Sequence, residues 1–255
     1  MTAGVPDLAA LRDLAVAAAE TAGAALLARG DAFQGVAAEA GRDIKLHADR
    51  AAEALIVRRL RAGSPHAVLG EETGWHGSPP QDDGTPYWVV DPLDGSANYD
   101  RHIPICAVSI ALMRGTTPVL GVITDFHHGE TFTGGEGLPA ACNGAPIRVS
   151  DVSETGRAVL VTGLPVKSDY SDEALGRMAR DFANWKKVRM IGSAAMASVY
   201  VASGRADRYA ETGTRLWDVA AGLAIVAAAG GRVFLSDGPA DAPRHVSMDN
   251  GRLPL

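Results

Sequence analysis

Cysteine is nearly absent from the 255-residue chain, Cys106 and Cys142 being the only two. Two thiols cannot staple a small disulfide scaffold, and neither stands in a Cys-x-x-Cys spacing for zinc or redox work. The expectation is two free buried thiols in a reducing compartment. No block rich in lysine or arginine occurs, and the formal net charge is −6. A basic face able to displace counterions from DNA or RNA is therefore not expected. No apolar run reaches the ~18–20 residues of a membrane-spanning helix. Met1 to Leu8 lacks the basic and apolar regions of a secretion signal, so a cytoplasmic protein without a membrane partner is expected. Internal repeats and low-complexity tracts are also missing. What remains is ordinary globular composition, 47% hydrophobic and 21% charged. The length allows one large domain or two closely packed ones at ~100–200 residues each. Such a chain buries roughly 70–75% of its unfolded surface and needs no disulfide or metal merely to fold.

Periodicity divides the chain. Leu8, Leu11, Ala15, Ala18, Ala22 and Leu26 recur at helical spacing. A second helix is predicted from about Asp49, with Ala52, Ile56 and Leu60 inward, ended by Gly63-Ser64-Pro65. Strands are predicted at 87–90, 104–112, 118–124 and 131–133, with a glycine-rich turn at 134–137. Beyond about residue 150 strands and helices alternate. Strands are expected at 158–162, 188–190 and 231–235, the last being the final one. Helices are expected after Ser171 (with Leu175, Met178 and Phe182 inward), at 193–203 and at 217–229. An α+β part, 1–150, joined to an α/β part, 151–255, follows from this pattern.

Four acidic spots each follow an apolar stretch or open a helix. In Trp88-Val-Val-Asp-Pro-Leu-Asp-Gly-Ser-Ala-Asn98 an apolar strand runs into Asp91, and Pro92 is expected to stop its ladder. Asp91, Asp94 and the Leu93 carbonyl can converge on hard cations, which take oxygen ligands. The Gly95 and Ser96 amides can open a helix toward a phosphate. The same residues are also turn formers, and a surface turn is the plain alternative. Glu71-Glu72 follows Ala67-Val68-Leu69-Gly70; adjacent acids there imply a cation or an exposed acidic loop. Asp218 opens a long apolar helix and Asp49 another, and each is otherwise a cap or first-turn acid.

The ordered set Asp49, Gly70-Glu71-Glu72, Asp91-Pro-Leu-Asp-Gly-Ser96 and Trp217-Asp218-Val-Ala-Ala-Gly222 resembles the inositol monophosphatase family. Its wider superfamily of magnesium-dependent, lithium-sensitive phosphatases includes fructose-1,6-bisphosphatases, histidinol phosphatases and 3′-phosphoadenosine phosphatases. The resemblance covers nearly the whole chain, taking in Ile103-Pro104, Gly121-Val122-Ile123, Asn143-Gly144, Gly192 to Ala195 and Gly204 to Asp207. It implies a sugar-phosphatase-like α+β fold of five layers, αβαβα. An antiparallel N-terminal sheet would carry most ligands, and a smaller mixed C-terminal sheet would carry Glu211 and Asp218. The implied activity is hydrolysis of a phosphate monoester, inositol 1-phosphate first, by direct attack of a metal-activated water with two or three Mg²⁺ ions. Other esters of the superfamily are the alternative, and a non-catalytic phospholigand-binding module is the remote one.

By position, the resemblance implies Glu71, Asp91 and the Leu93 carbonyl at one metal. Asp91, Asp94 and Asp218 are implied at a second, with Glu72 behind them. Asp49 and Ser96, with Glu71, would activate the water, and Asp94, Gly95, Ser96, Ala195 and Glu211 would hold substrate. A homodimer is also implied. His47-Ala48-Asp49 departs from a pattern with Thr before the Asp, and Tyr99 replaces a common Phe. Arg101, His102 and Arg215 are candidates for substrate selection, with solvated surface as the alternative. His127-His128 is expected in a turn or surface role rather than at a metal, since neighbours on a strand face opposite ways.

Overall fold

Alanine at the contact positions lets two helices lie close together on one sheet face. In α1 (Leu8–Ala28) the buried residues are Leu11, Ala15, Ala18, Ala19, Ala22, Gly23 and Leu26. The Asp7 carboxylate caps it, accepting from the amides of Ala9 and Ala10 at 3.1 and 3.2 Å. α1 packs on α2 (His47–Gly63), which buries Ala52, Ile56 and Leu60 as expected. This computed structural model describes residues 7–30, 33, 35–40, 43–82, 84–164, 169–239 and 241–254.

Beneath these helices lies an eight-stranded sheet. Its strands are β3 (Val68–Gly70), β4 (Gly74–His76), β5 (Pro86–Asp94), β6 (Ala107–Arg114), β7 (Thr117–Asp125), β8 (Glu130–Gly135), β9 (Leu138–Cys142) and β10 (Ala145–Pro146), ordered β10-β9-β8-β7-β6-β5-β3-β4. It is antiparallel except that β3 and β5 run parallel, so the expected antiparallel sheet is a mixed one. A crossover of loop and the β4 excursion returns the chain in the same direction. A short antiparallel pair, β1 (Val36–Ala40) and β2 (Asp43–Leu46), precedes α2.

Both faces of the large sheet are buried, so its strands read as near-continuous apolar runs. On β5, Trp88 and Val90 face α1 and α2. Tyr87 and Val89 face the other way. That second face receives α6 (Leu216–Ala228), which also touches β14 (Arg232–Leu235) and β15 (Arg244–Asp249) of the second sheet. A helix pressed between two sheets must be apolar all round, and nine of its residues are buried. Gly121 makes the approach possible: a Cβ there would lie 2.1 Å from the Ala221 carbonyl oxygen. α5 (Ala194–Ala202) packs beside α6, with Gly222 making room for Ser198.

The second sheet has five strands. It is completed by β11 (Val159–Thr162), β12 (Lys187–Met190) and β13 (Arg208–Thr214), in the order β12-β11-β13-β15-β14. β11 runs parallel to both its neighbours and the remaining pairs are antiparallel. α4 (Asp172–Phe182) lies on its outer face, Met178 and Phe182 lining a cavity together with Leu160 and Ala210. The layers are therefore helices, sheet, helices, sheet, helix, and the αβαβα expectation holds.

Several local expectations are corrected. No residue of α4 is buried, because an outermost helix has one neighbour, although the Ser171 hydroxyl caps it as expected. The strand at 231–235 is not the last. β15 follows, and β13 was also passed over; both hold polar residues in more than half their positions, which dilutes an apolar run. Pro92 does not end β5. The ladder to β6 continues through a bulge, with Asp91 opposite Ser109 and Asp94 opposite Ala107. Pro92 sits in that bulge, beyond the end of β3, where no ladder amide is needed. Both cysteines are free; Cys106 is buried, and burial pushes its thiol up to about 12, while Cys142 is only half-buried.

Candidate active site

Strand alternation aims the first acid. Tyr87, Val89 and Asp91 share the face of β5 that meets α6, so the Asp91 carboxylate enters the core below that helix. Asp91 is 2% exposed. Among the described residues its hydrogen-bond donor is the Leu93 amide, 3.0 Å from Oδ1. Burial, then the negative charges of Glu71, Asp94 and Asp218, push its pKa well above the carboxylate range. Glu71 follows β3 in a turn, and its amide donates to the Val90 carbonyl at 3.1 Å, which ties it alongside Asp91.

Asp49 and Asp218 hold equivalent positions on different helices. Neither is the N-cap; each is the third helical residue, and each reaches back to accept the amide that precedes the helix. Leu46 donates to Asp49 and Arg215 to Asp218, both at 2.6 Å. This half of a capping box fixes the carboxylate rotamer. Asp218 is half-buried, and burial first, then Asp94, raises it to about 8. Asp49 is buried, and its Oδ1 accepts from the Ser96 hydroxyl at 2.9 Å. The same hydroxyl lies 3.0 Å from the Leu93 carbonyl oxygen.

After the bulge, Gly95 takes φ 91° and caps the short helix α3 (Ser96–Asp100). A Cβ at Gly95 would lie 2.9 Å from the Ile105 carbonyl oxygen, so the left-handed turn and the close approach both require glycine. Asn98 then ties α3 to the far side, its amide donating to Ile105 and Ile191 carbonyls at 2.7 Å each. Tyr99 uses its extra hydroxyl, donating to the Leu26 carbonyl at 2.7 Å.

Asp94 reaches across to the start of α5. Its Oδ2 accepts from the Ser193 hydroxyl and from the Ala195 amide at 2.8 Å, and its Oδ1 from the Ala194 amide at 3.4 Å. Burial raises it to about 6 against these three donors. The Ala195 amide, expected to face substrate, is thus engaged by Asp94. Glu211, on β13, accepts from the Tyr209 hydroxyl two residues before it at 3.2 Å. Gly163 leaves it room, and Glu211 opens on a cavity of about 350 Å³ with Thr162, Trp185 and Arg208. Burial raises Glu211 to about 7.

The structure brings Glu71, Asp91, Asp94, Asp218 and Glu211 into one electrostatic neighbourhood, with Ser96 and Asp49 at its edge. Among the described residues no three Asp, Glu, His or Cys side chains close into a ready-made metal cage. The donor set nonetheless fits a hard divalent cation: it is all oxygen, like-charged and buried or half-buried. Arg101 and His102 are exposed beyond α3, Arg101 beside Asp100 at 3.7 Å, and His47 is exposed at the start of α2. His127 and His128 lie in a turn closed by Asp125, as expected.

Sequence reasoning passed over Glu53. It is 1% exposed, and its carboxylate accepts from the amides of Glu72 and Thr73 at 2.9 and 3.0 Å and from the Thr73 hydroxyl. It therefore clamps the turn that carries Glu71, with Gly70 leaving the slot it fills. The available signal was its place four residues after Asp49, on the same helix face. Ser193, which caps α5 and donates to Asp94, was also missed.

The model of the inositol monophosphatase family matches residues 7–253. The chain is 34% identical over 259 residues to an inositol-1-monophosphatase of Synechocystis sp., covering 97% of this chain and 87% of the relative. It is 39% identical over 194 residues to the Nus factor SuhB of Salmonella typhimurium, covering 75% and 71%. Among solved structures, an inositol monophosphatase from Anabaena (Nostoc) sp. superposes with a TM-score of 0.83 at 34% identity, covering 96% of this chain and 92% of that one. The extragenic suppressor protein suhB of Bartonella henselae gives 0.84 at 32% identity, covering 95% and 94%. The chain belongs to the inositol monophosphatase family, whose members are phosphoric monoester hydrolases that depend on metal for catalysis.

Proposed function

We propose that the protein hydrolyses a phosphate monoester with Mg²⁺, two or three ions per site, and that inositol 1-phosphate is the first substrate to test. The observation that carries this reading is the Ser96–Asp49 pair at the edge of the carboxylate cluster. Glu71, Asp91 and the Leu93 carbonyl would hold one ion, and Asp91, Asp94 and Asp218 a second. When bound, the ions lower the pKa of water, neutralise phosphate charge and stabilise the leaving oxygen. The chain's own residues do the rest. Ser96 Oγ carries one hydrogen, directed at Asp49 or at the Leu93 carbonyl, and keeps a lone pair for the attacking water. Asp49, fixed by the Leu46 amide, takes the negative end of that relay and draws the proton through Ser96. The Gly95 and Ser96 amides, at the start of α3, would receive phosphate oxygens. Glu211 faces the alcohol part of the ester, and Ala195 becomes available to it once Asp94 turns to a metal.

The reading extends to a cytoplasmic, lithium-sensitive homodimer with no nucleic-acid or membrane partner. The chain divides at about residue 150 into a part carrying most ligands and a part carrying Glu211 and Asp218. No helix of the described residues is long and apolar enough to cross a membrane. Histidinol phosphate, fructose 1,6-bisphosphate and 3′-phosphoadenosine 5′-phosphate are the competing esters. The relatives named Nus factor SuhB favour a second reading, a transcription-factor role beside hydrolysis.

A phosphate-release panel with and without Mg²⁺ and Li⁺ tests this. The correct ester should lead in kcat/KM by well over tenfold, and Asp91→Asn should nearly abolish turnover with the fold intact. Inositol 1-phosphate in last place would overturn the substrate assignment, and full turnover by Asp91→Asn would overturn the metal assignment. A partner-binding role that survives Asp91→Asn would support the second reading.

A further inference from the structure

Arg50, Ala54, Arg58 and Arg61 recur at the three- and four-residue steps of one helical face, the face of α2 turned away from the sheet, with the buried Val57 at its edge. This face walls a cavity of about 550 Å³, closed opposite by Thr73 and His76. None of Glu71, Asp91, Asp94, Ser96 or Asp218 lines it. Arg58 and Arg61 are exposed, and among the described residues neither is in an ion pair. Negative charge in the wall is turned inward. Glu53 is 1% exposed and occupied by the amides of Glu72 and Thr73. The Glu72 side chain is 3% exposed and lies 3.8 Å from Arg50. In a chain of net charge −6, guanidinium groups therefore converge on one concave surface whose floor, Ala54 and Val57, is aliphatic.

That chemistry selects a ligand class. Guanidinium forks match phosphoryl oxygens two at a time, and an aliphatic floor suits a carbon body rather than a bare ion. The volume falls in the ~300–1,000 Å³ range of small-molecule sites. We propose that this cavity is a second, non-catalytic binding site for a small organic phosphate, its phosphoryl group held by Arg58 and Arg61 and its carbon body resting on Ala54 and Val57. Arg58 and Arg61 lie outside the catalytic cluster, and the cavity shares with it only Glu53 and Thr73, which hold the Glu71 turn. Thr73 and His76 give it a built-in reporter, because their hydroxyl and ring lie 2.6 Å apart in the wall.

The test uses phenylphosphonate, which resists ester hydrolysis, added to ¹⁵N-labelled protein in saturating Mg²⁺. Saturable shifts are expected at the amides of 54–62 and 73–76. Arg58→Ser/Arg61→Ser should weaken that Kd at least tenfold with the KM for substrate unchanged. Arg58→Lys/Arg61→Lys, which keeps charge and loses the fork, should fall between. Shifts confined to 93–96 and 193–195, shifts that do not saturate, or an unchanged Kd in the Ser variant would each overturn the proposal.

Discussion

Removing the metal should make the folded protein less stable as pH rises, with Asp91 and Asp218 the chief contributors. A carboxyl whose folded pKa is raised keeps its proton after the unfolded chain has lost it, so stability falls between the two values. Asp218 goes from an ordinary 3.8 to about 8, Glu211 from 4.5 to about 7 and Asp94 from 3.8 to about 6. Between pH 6.5 and 8 Asp218 loses the most of these three, Glu211 less and Asp94 least, and Asp91, raised well above the carboxylate range, adds to the same slope. Together they amount to roughly a few kcal/mol, a drop on the order of 10 °C in Tm for a chain of this size. His66 and His127, which burial pushes down, give the opposite slope up to about pH 7.5 and offset a minor part of the fall, and the window stops short of the thiols. The assay is thermal unfolding in chelator across that range, followed by Mg²⁺ addition. Mg²⁺ should restore more at pH 8 than at pH 6.5, because a bound cation displaces the retained protons. Asp218→Asn should flatten the metal-free slope in part and reduce the Mg²⁺ gain. A metal-free Tm that is flat or rises from pH 6.5 to 8, or an unchanged slope in Asp218→Asn, would refute the electrostatic reasoning.

Ser96→Ala should lower kcat by about 10²–10⁴-fold with little change in KM, because the hydroxyl relays a proton and does not anchor the ester; steady-state kinetics decide it. Glu53→Gln leaves one acceptor oxygen for three donors, so the Glu71 turn loosens. The Mg²⁺ concentration for half-maximal activity should rise by about 10–100-fold while kcat at saturation stays close to wild type. Gly121→Ala drives a Cβ into the Ala221 backbone, which no rotamer relieves, and should cost about 3 kcal/mol or more in urea unfolding. Tyr99→Phe removes only the bond to the Leu26 carbonyl and should cost about 1 kcal/mol by the same measurement.

The helices with a strong apolar stripe, the run into Asp91 and the order of the acidic motifs are legible in the amino-acid sequence. Those motifs were enough to indicate the family and the five-layer fold. Local pattern carries such features because a strand or helix face is read within a few residues. It did not reveal β13 and β15, whose polar positions are satisfied by neighbours distant in the chain. Nor could it distinguish caps from third helical residues at Asp49 and Asp218, since that depends on where the preceding strand ends. Which acids meet depends on how the layers pack. Asp91 faces Asp218 because α6 is pressed between two sheets, and that approach exists because Gly121 lacks a side chain. Asp94 reaches the start of α5 about a hundred residues away, and Glu53 is buried under the Glu71 turn rather than solvated on its helix. Charge is written in the sequence, but the loss of solvent and the proximity of like charges, which set its energy, belong to the packed layers.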